Sequence, residues 1–283
     1  MLEVVFLIVL ALIWIVFASM QDLKNREVAN WLSFSLIIFA LGFRFFWSLF
    51  SFNTNFMFFY QGLIGLGIFL IIGNLFYYAR LFAGGDAKLM IALGPVLGFS
   101  SNFTTNLKIY FIFLFVYLFA GMFYGLFWSF SLVIKNFNNF KKEFLKVFYK
   151  HSKIILLISF AGMVLTFFGI VDLVFSYFGI LILIMPYIYI FAKAIDEACM
   201  IKNVKTSELM EGDWLYKDVK IGKKTIKAKW DGLDSADIKL LKKKKKLVLI
   251  RQGIPFVPVF LIAFLILIYI WFYKIDLWFC FLS

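Results

Sequence analysis

Eight apolar stretches recur along this chain, at about 2–20, 31–50, 56–78, 87–99, 109–134, 154–171, 175–193 and 255–273. A helix needs about 20 largely apolar residues to cross a bilayer. Most of these stretches reach or approach that length, and the fourth is short. Soluble domains carry about 25% charged residues. Here 16% of residues are charged and 64% are hydrophobic, which excludes a soluble fold. The expected fold is an all-α polytopic membrane protein with about eight transmembrane helices (six to eight). A small α+β insert precedes the last of them.

Charge placement gives the expected sidedness. Glu3 precedes the first apolar core, and Lys24 and Arg26 follow it. A cleaved signal peptide has the reverse order, so the first stretch reads as a retained span with its N-terminus outside. In the eight-span arrangement 26 of the 29 Lys and Arg fall on the inner side, leaving Arg44, Lys108 and Lys274 outside. That asymmetry is the positive-inside bias of membrane proteins. Arg44 lies within the second span and is the weak point of the count. The close approach of spans six and seven around Asp172 leaves room for a hairpin there.

Three regions follow: a membrane domain at 1–194, a basic cytosolic insert at 195–252, and a final span with a short outer tail at 253–283. In the insert, Val219 to Lys224 reads as a strand and turn, and Asp234 to Leu241 as a capped short helix. The run Lys242 to Lys246 and the net charge of +13 suit anionic lipid headgroups. A partner site is the sharper alternative for that run. No aromatic–basic platform for nucleic acid is present. Cys199 and Cys280 are far apart, and no CxxC supports a zinc site or redox pair. His151 reads as a solvated or headgroup-level residue in a lysine-rich loop. No internal repeat of the transporter kind is evident.

The chemistry concentrates in two carboxylates. Asp22 follows the first span in Gln21-Asp22-Leu23-Lys24-Asn25-Arg26. Asp86 opens the fourth in Phe82-Ala83-Gly84-Gly85-Asp86-Ala87-Lys88-Leu89. Ionisable groups at a membrane boundary are costly and mark function. Two carboxylates facing one cavity share a proton. The charged one then takes a proton from water, and the protonated one donates to a scissile carbonyl. This chemistry asks for no metal or cofactor. Gly84 and Gly85 would permit unusual dihedrals and close approach of an extended substrate. Lys88 would lower the charge cost of the pair. The blander alternatives are an N-cap role for Asp86, a headgroup-level Asp22 and a snorkelling Lys88.

These residues resemble the archaeal preflagellin and type IV prepilin peptidases, which are GxGD-type intramembrane aspartyl proteases. Asp22 with Arg26-Glu27-Val28-Ala29-Asn30 resembles the family's first catalytic Asp and its Arg-x-Val-Pro-Asn pattern. Ala83-Gly84-Gly85-Asp86-Ala87-Lys88-Leu89 resembles the Gly-x-Gly-Asp-x-Lys-Leu motif. Gly253-Ile254-Pro255-Phe256-Val257-Pro258 resembles the Gly-Ile-Pro-Phe-x-Pro approach to the last span, and Ser207 to Asp213 resembles the family's cytosolic insert. Ala83 stands where the motif has its first Gly, and Ala29 where it has Pro.

The resemblance implies that Asp22 and Asp86 are catalytic, with Gly84, Gly85, Lys88, Arg26 and Asn30 in support. It implies removal of short basic leader peptides from preflagellin or pilin-like precursors at the cytosolic membrane face. It also implies that the N-methyltransferase activity of CxxC-bearing bacterial relatives is absent. Glu27, Glu208 and Glu211 are candidates to bind a basic leader, and Glu27 is preferred for its closeness to Asp22. Without substrate the two aspartates are expected to stand apart. The rival readings are a transporter with intramembrane carboxylates and a non-enzymatic membrane scaffold.

Overall fold

A computed structural model describes residues 2–50, 56–221, 224–229, 232–244 and 247–275. Cys280, Lys245, Lys246, the Gly222-Lys223 turn and most of the expected outer tail lie outside the described residues. The described chain is mainly helical, with a small strand-bearing region before the last helix. Its helices are α1 (Leu2–Asn25), α2 (Asn30–Phe50), α3 (Met57–Tyr78), α4 (Gly84–Leu97), α5 (Phe103–Lys135), α6 (Phe137–Phe167), α7 (Leu173–Cys199), α8 (Ser235–Lys244) and α9 (Pro258–Phe272). The expected polytopic helical fold is therefore found. Among the described residues six helices are long and apolar enough to span a membrane: α1, α2, α3, α5, α6 with its short extension to Ile170, and α7. At 1.5 Å per residue, α4 and α9 are only about 21 Å and about 22 Å long.

The chain divides into two compact units, one of Met1–Leu126 with Ile254–Ser283 and one of Phe127–Gly253. In the first, α4 packs against α1, α2 and α3, and α9 packs on α1. The core of this unit is apolar, with Leu7, Ile15, Leu36, Phe69, Leu93 and Phe264 fully buried. Apolar packing is no stronger than lipid contact inside a bilayer, so close approach through small residues holds such helices together. Gly65 and Gly94 form a point of close contact between α3 and α4. A Cβ on Gly65 would lie 2.3 Å from the Gly94 carbonyl oxygen. Gly65→Ala is expected to cost about 1–3 kcal/mol. Gly67→Ala on the same helix meets nothing within 4 Å and should be neutral or stabilising by up to about 1 kcal/mol. Thermal unfolding of both variants in detergent tests this, and equal melting temperatures would contradict it.

Arg44, the weak point of the charge count, is fully buried inside the first unit. Its guanidinium donates to the carbonyls of Pro95 at 2.6 Å, Phe58 at 2.8 Å, Gly98 at 2.5 Å and Val96 at 3.4 Å. Three of these acceptors lie at the C-terminal end of α4, where carbonyls lack helical partners. A cation there also meets the negative end of the helix dipole. Gly62 leaves the space for it, since a Cβ would come within 2.4 Å of Arg44 Cδ. The Arg44 side chain also stacks over Phe58, with Cζ 4.3 Å from the ring centroid. Beside it, buried Asn106 donates to Gln61 Oε1 at 3.0 Å and to the Ser100 carbonyl at 2.7 Å.

In the second unit α6 and α7 form a close antiparallel pair, tightened at Gly162 and Gly179. Asp172 caps α7 by accepting from the Val174 N–H at 2.9 Å. The expected lysine-rich loop before the sixth span is helical: it is the first half of α6. It holds no Gly or Pro, and Phe140, Phe144, Val147 and Phe148 recur at helical spacing beneath the lysines. His151 accordingly sits on a helix, edge-on to Tyr189.

The insert has β1 (Ile201–Lys205), β2 (Trp214–Leu215), β3 (Val219–Ile221), β4 (Lys224–Ile226) and β5 (Leu247–Arg251). β5 lies between β1 and β2 in one antiparallel sheet, and β3 pairs with β4 as a hairpin. Ile221, Ile226, Leu241, Val248 and Ile250 help to form its separate core. Asp234 accepts from the Asp237 N–H at 2.7 Å at the start of α8, as its sequence predicts.

Candidate active site

Both aspartates sit next to helix ends that stop without glycine. Asp22 is three residues from the end of α1, and its carbonyl accepts from the Arg26 N–H at 2.9 Å. Arg26 has φ of 60°, in the left-handed region that closes a helix. Before Asp86, α3 ends the same way at Arg80, with φ of 61°. The Arg80 and Leu81 N–H groups there bond back to the Tyr77 and Phe76 carbonyls. The chain then turns through Phe82 into α4.

Asp86 is the third residue of α4, not its N-cap, a position Ala83 occupies. Its carboxyl reaches back to the Ala83 backbone N–H, as the third residue of a capping box does. The unusual dihedrals expected of Gly84 and Gly85 are not found, since both lie within the first turn of α4 and neither has a positive φ. A Cβ on Gly84 or Gly85 would meet only ordinary contacts, the nearest being Tyr77 at 3.9 Å and Val28 at 3.6 Å. Ala83 has φ of −71° and ψ of 162°, so Ala fits where the motif has Gly. Ala29 brings an N–H that the motif's Pro would lack, and Gln21 Oε1 accepts it at 3.1 Å.

Asp22 is buried, with 6% of its surface exposed, and accepts from the Val257 N–H at 2.9 Å. The Phe256 backbone also donates to it. Val257 is the N-cap of α9, and Pro258 follows it. The first N–H groups of a helix lack internal acceptors and attract negative charge. The Pro-Phe-Val-Pro segment thus delivers a helix N-terminus to the Asp22 carboxyl.

Asp22 and Asp86 lie within electrostatic reach of one another and are not hydrogen-bonded together. Arg26 is within the same reach of Asp22. Lys88 Nζ donates to Asn30 Oδ1 at 2.6 Å, tying α4 to the start of α2. Two expected support residues are thereby brought together. Glu27 is exposed on the turn after Asp22. Glu208 and Glu211 belong to the other unit.

Three site features were missed in the sequence: the Val257 N–H, Tyr117 and Tyr124. The tyrosines interact electrostatically with Asp86 and Asp22 respectively. With Gly121 they form a stripe on α5 at helical spacing, and a Cβ on Gly121 would come within 2.7 Å of Phe256. That spacing was the available signal. Among the described residues no group of three or more His, Cys, Asp or Glu is placed to hold a metal ion.

The fold and this cluster define a multi-pass helical membrane protein with two carboxyl groups gathered at helix ends. Residues 9–134, a stretch that includes both aspartates, match the type IV leader peptidase family model. That stretch is therefore similar to type IV leader peptidases. No curated protein and no solved structure matches the chain significantly.

Proposed function

We propose that Asp22 and Asp86 are a two-aspartate catalyst that removes short basic leader peptides from preflagellin or pilin-like precursors at the cytosolic membrane face. The observation that carries this reading is that the two carboxyls lie within electrostatic reach of one another, with Asp22 held by the N-terminus of α9. Backbone donors at a helix start are the partners an ionised carboxylate takes. Asp22 is accordingly the base that draws a proton from water. Asp86, with fewer donors, is the acid that protonates the scissile carbonyl. Water attacks that carbonyl, and the tetrahedral intermediate collapses with release of the leader. Neither step requires a group beyond these side chains and water.

The substrate approaches over Gly84 and Gly85, where the absence of side chains leaves room beside Val28. The precursor's apolar helix stays in the bilayer, and its basic leader lies toward Glu27. The lysines of the first half of α6, with its phenylalanines, suit anionic headgroups. Membranes carrying the protein should shorten a tagged pilin-like precursor, and a precursor with its leader Lys and Arg changed to Gln should be cut more slowly. Full-length precursor after incubation with folded protein would overturn the reading.

Glu27→Gln is expected to raise KM about three-fold with kcat unchanged, the effect of losing one exposed charge pair. Initial rates over a range of precursor concentrations check this. Unchanged kinetics would remove Glu27 from leader binding.

A further inference from the structure

The Tyr117 side chain is 1% exposed, and its hydroxyl is buried with no hydrogen-bond partner. Burying a hydroxyl unpaired is costly, and Phe would fill the same space without that cost. The ring explains the packing. It lies 4.6 Å from Phe260 and edge-on to Phe82 at 5.7 Å and to Phe256 at 6.1 Å between centroids. Phe82 begins the turn that carries Asp86, and Phe256 adjoins the N–H that holds Asp22. One ring on α5 therefore touches both segments that present the aspartates. These three apolar neighbours would serve such a ring equally well without the oxygen.

We propose that the Tyr117 hydroxyl is a positioning group of the peptidase site, donating a hydrogen bond to the Asp86 carboxyl when a precursor is bound. The inference rests on the two-aspartate reading. Asp86 acts electrostatically on that phenol, and a neutral phenol can donate while keeping the ring in place. The bond forms as the carboxyl settles against the scissile group.

The test compares wild type, Tyr117→Phe and Asp86→Asn on one tagged precursor, with kcat, KM and melting temperature in detergent read for each. Tyr117→Phe should lower kcat about ten-fold, the effect of one lost hydrogen bond to a charged group. KM should be unchanged, and the melting temperature should be equal or higher, because the orphan oxygen is gone. A purely structural Tyr117 would instead lower the melting temperature with kcat. An unchanged kcat, or a kcat loss that only follows a lower melting temperature, overturns the proposal. If Asp86→Asn cleaves as wild type does, the two-aspartate reading fails and this inference with it. If Asp86→Asn is inactive while Tyr117→Phe matches wild type, the inference alone fails.

Discussion

Replacing Arg44 by Met is expected to destabilise the first unit by more than about 3 kcal/mol, the size of effect seen when one member of a buried polar network is removed. Met keeps much of the length and apolar stem of the side chain. It removes the four donated bonds to Phe58, Pro95, Val96 and Gly98. Each orphaned buried carbonyl costs about 1–3 kcal/mol. Arg44→Lys should be intermediate, because an ammonium is a point donor and cannot reproduce the planar fork. The consequence extends to the site: Arg44 fixes the end of α4 opposite the one that carries Asp86. Thermal unfolding in detergent reads the effect directly. A melting temperature for Arg44→Met equal to wild type would contradict this assignment of Arg44.

The same residue marks the limit of reading a charge from its local sequence. A lone Arg in an apolar run looks like a residue near a membrane surface. Three of its four carbonyl partners are 51 to 54 residues away, and nothing in the local sequence points to them. The helices themselves were legible because length and apolarity set a span wherever the chain crosses lipid. The lysine-rich stretch before the sixth span was misread because charge masked a continuing helical stripe at Phe140, Phe144, Val147 and Phe148. In the insert, the β3–β4 hairpin and α8 are local and could be read. The β1–β5 pairing joins Ile201 to Arg251, and such distant pairing has no local signature.

At the site, the motif residues led to both aspartates and to the Lys88 and Asn30 that bond to each other. They did not give the reason for the Pro-Phe-Val-Pro segment, which lies in the supply of the Val257 N–H to Asp22. Of the two roles read for Gly84 and Gly85, unusual dihedrals and close approach of substrate, the first is not found. Their dihedrals are those of an ordinary first turn, and what they contribute is an uncovered surface beside Asp86. Tyr117 was lost among many aromatics, since an unpaired hydroxyl is a property of packing and not of sequence.

Asp22→Asn and Asp86→Asn are each expected to lower leader removal by about 100- to 10,000-fold, the range for loss of a general acid or base. Asn keeps the shape and an acceptor oxygen, so the Val257 N–H and the Ala83 N–H remain paired and the folded yield should hold. It cannot exchange the proton that the mechanism moves. The two losses should be similar in size, because a pair acting as a unit fails when either member is removed.

The most direct measurement is leader loss from one tagged precursor by membranes carrying wild type, Asp22→Asn or Asp86→Asn at matched amounts of folded protein. A shortened precursor with wild type and full-length precursor with both variants is the predicted result. Wild-type-like shortening by either variant would contradict the two-aspartate account.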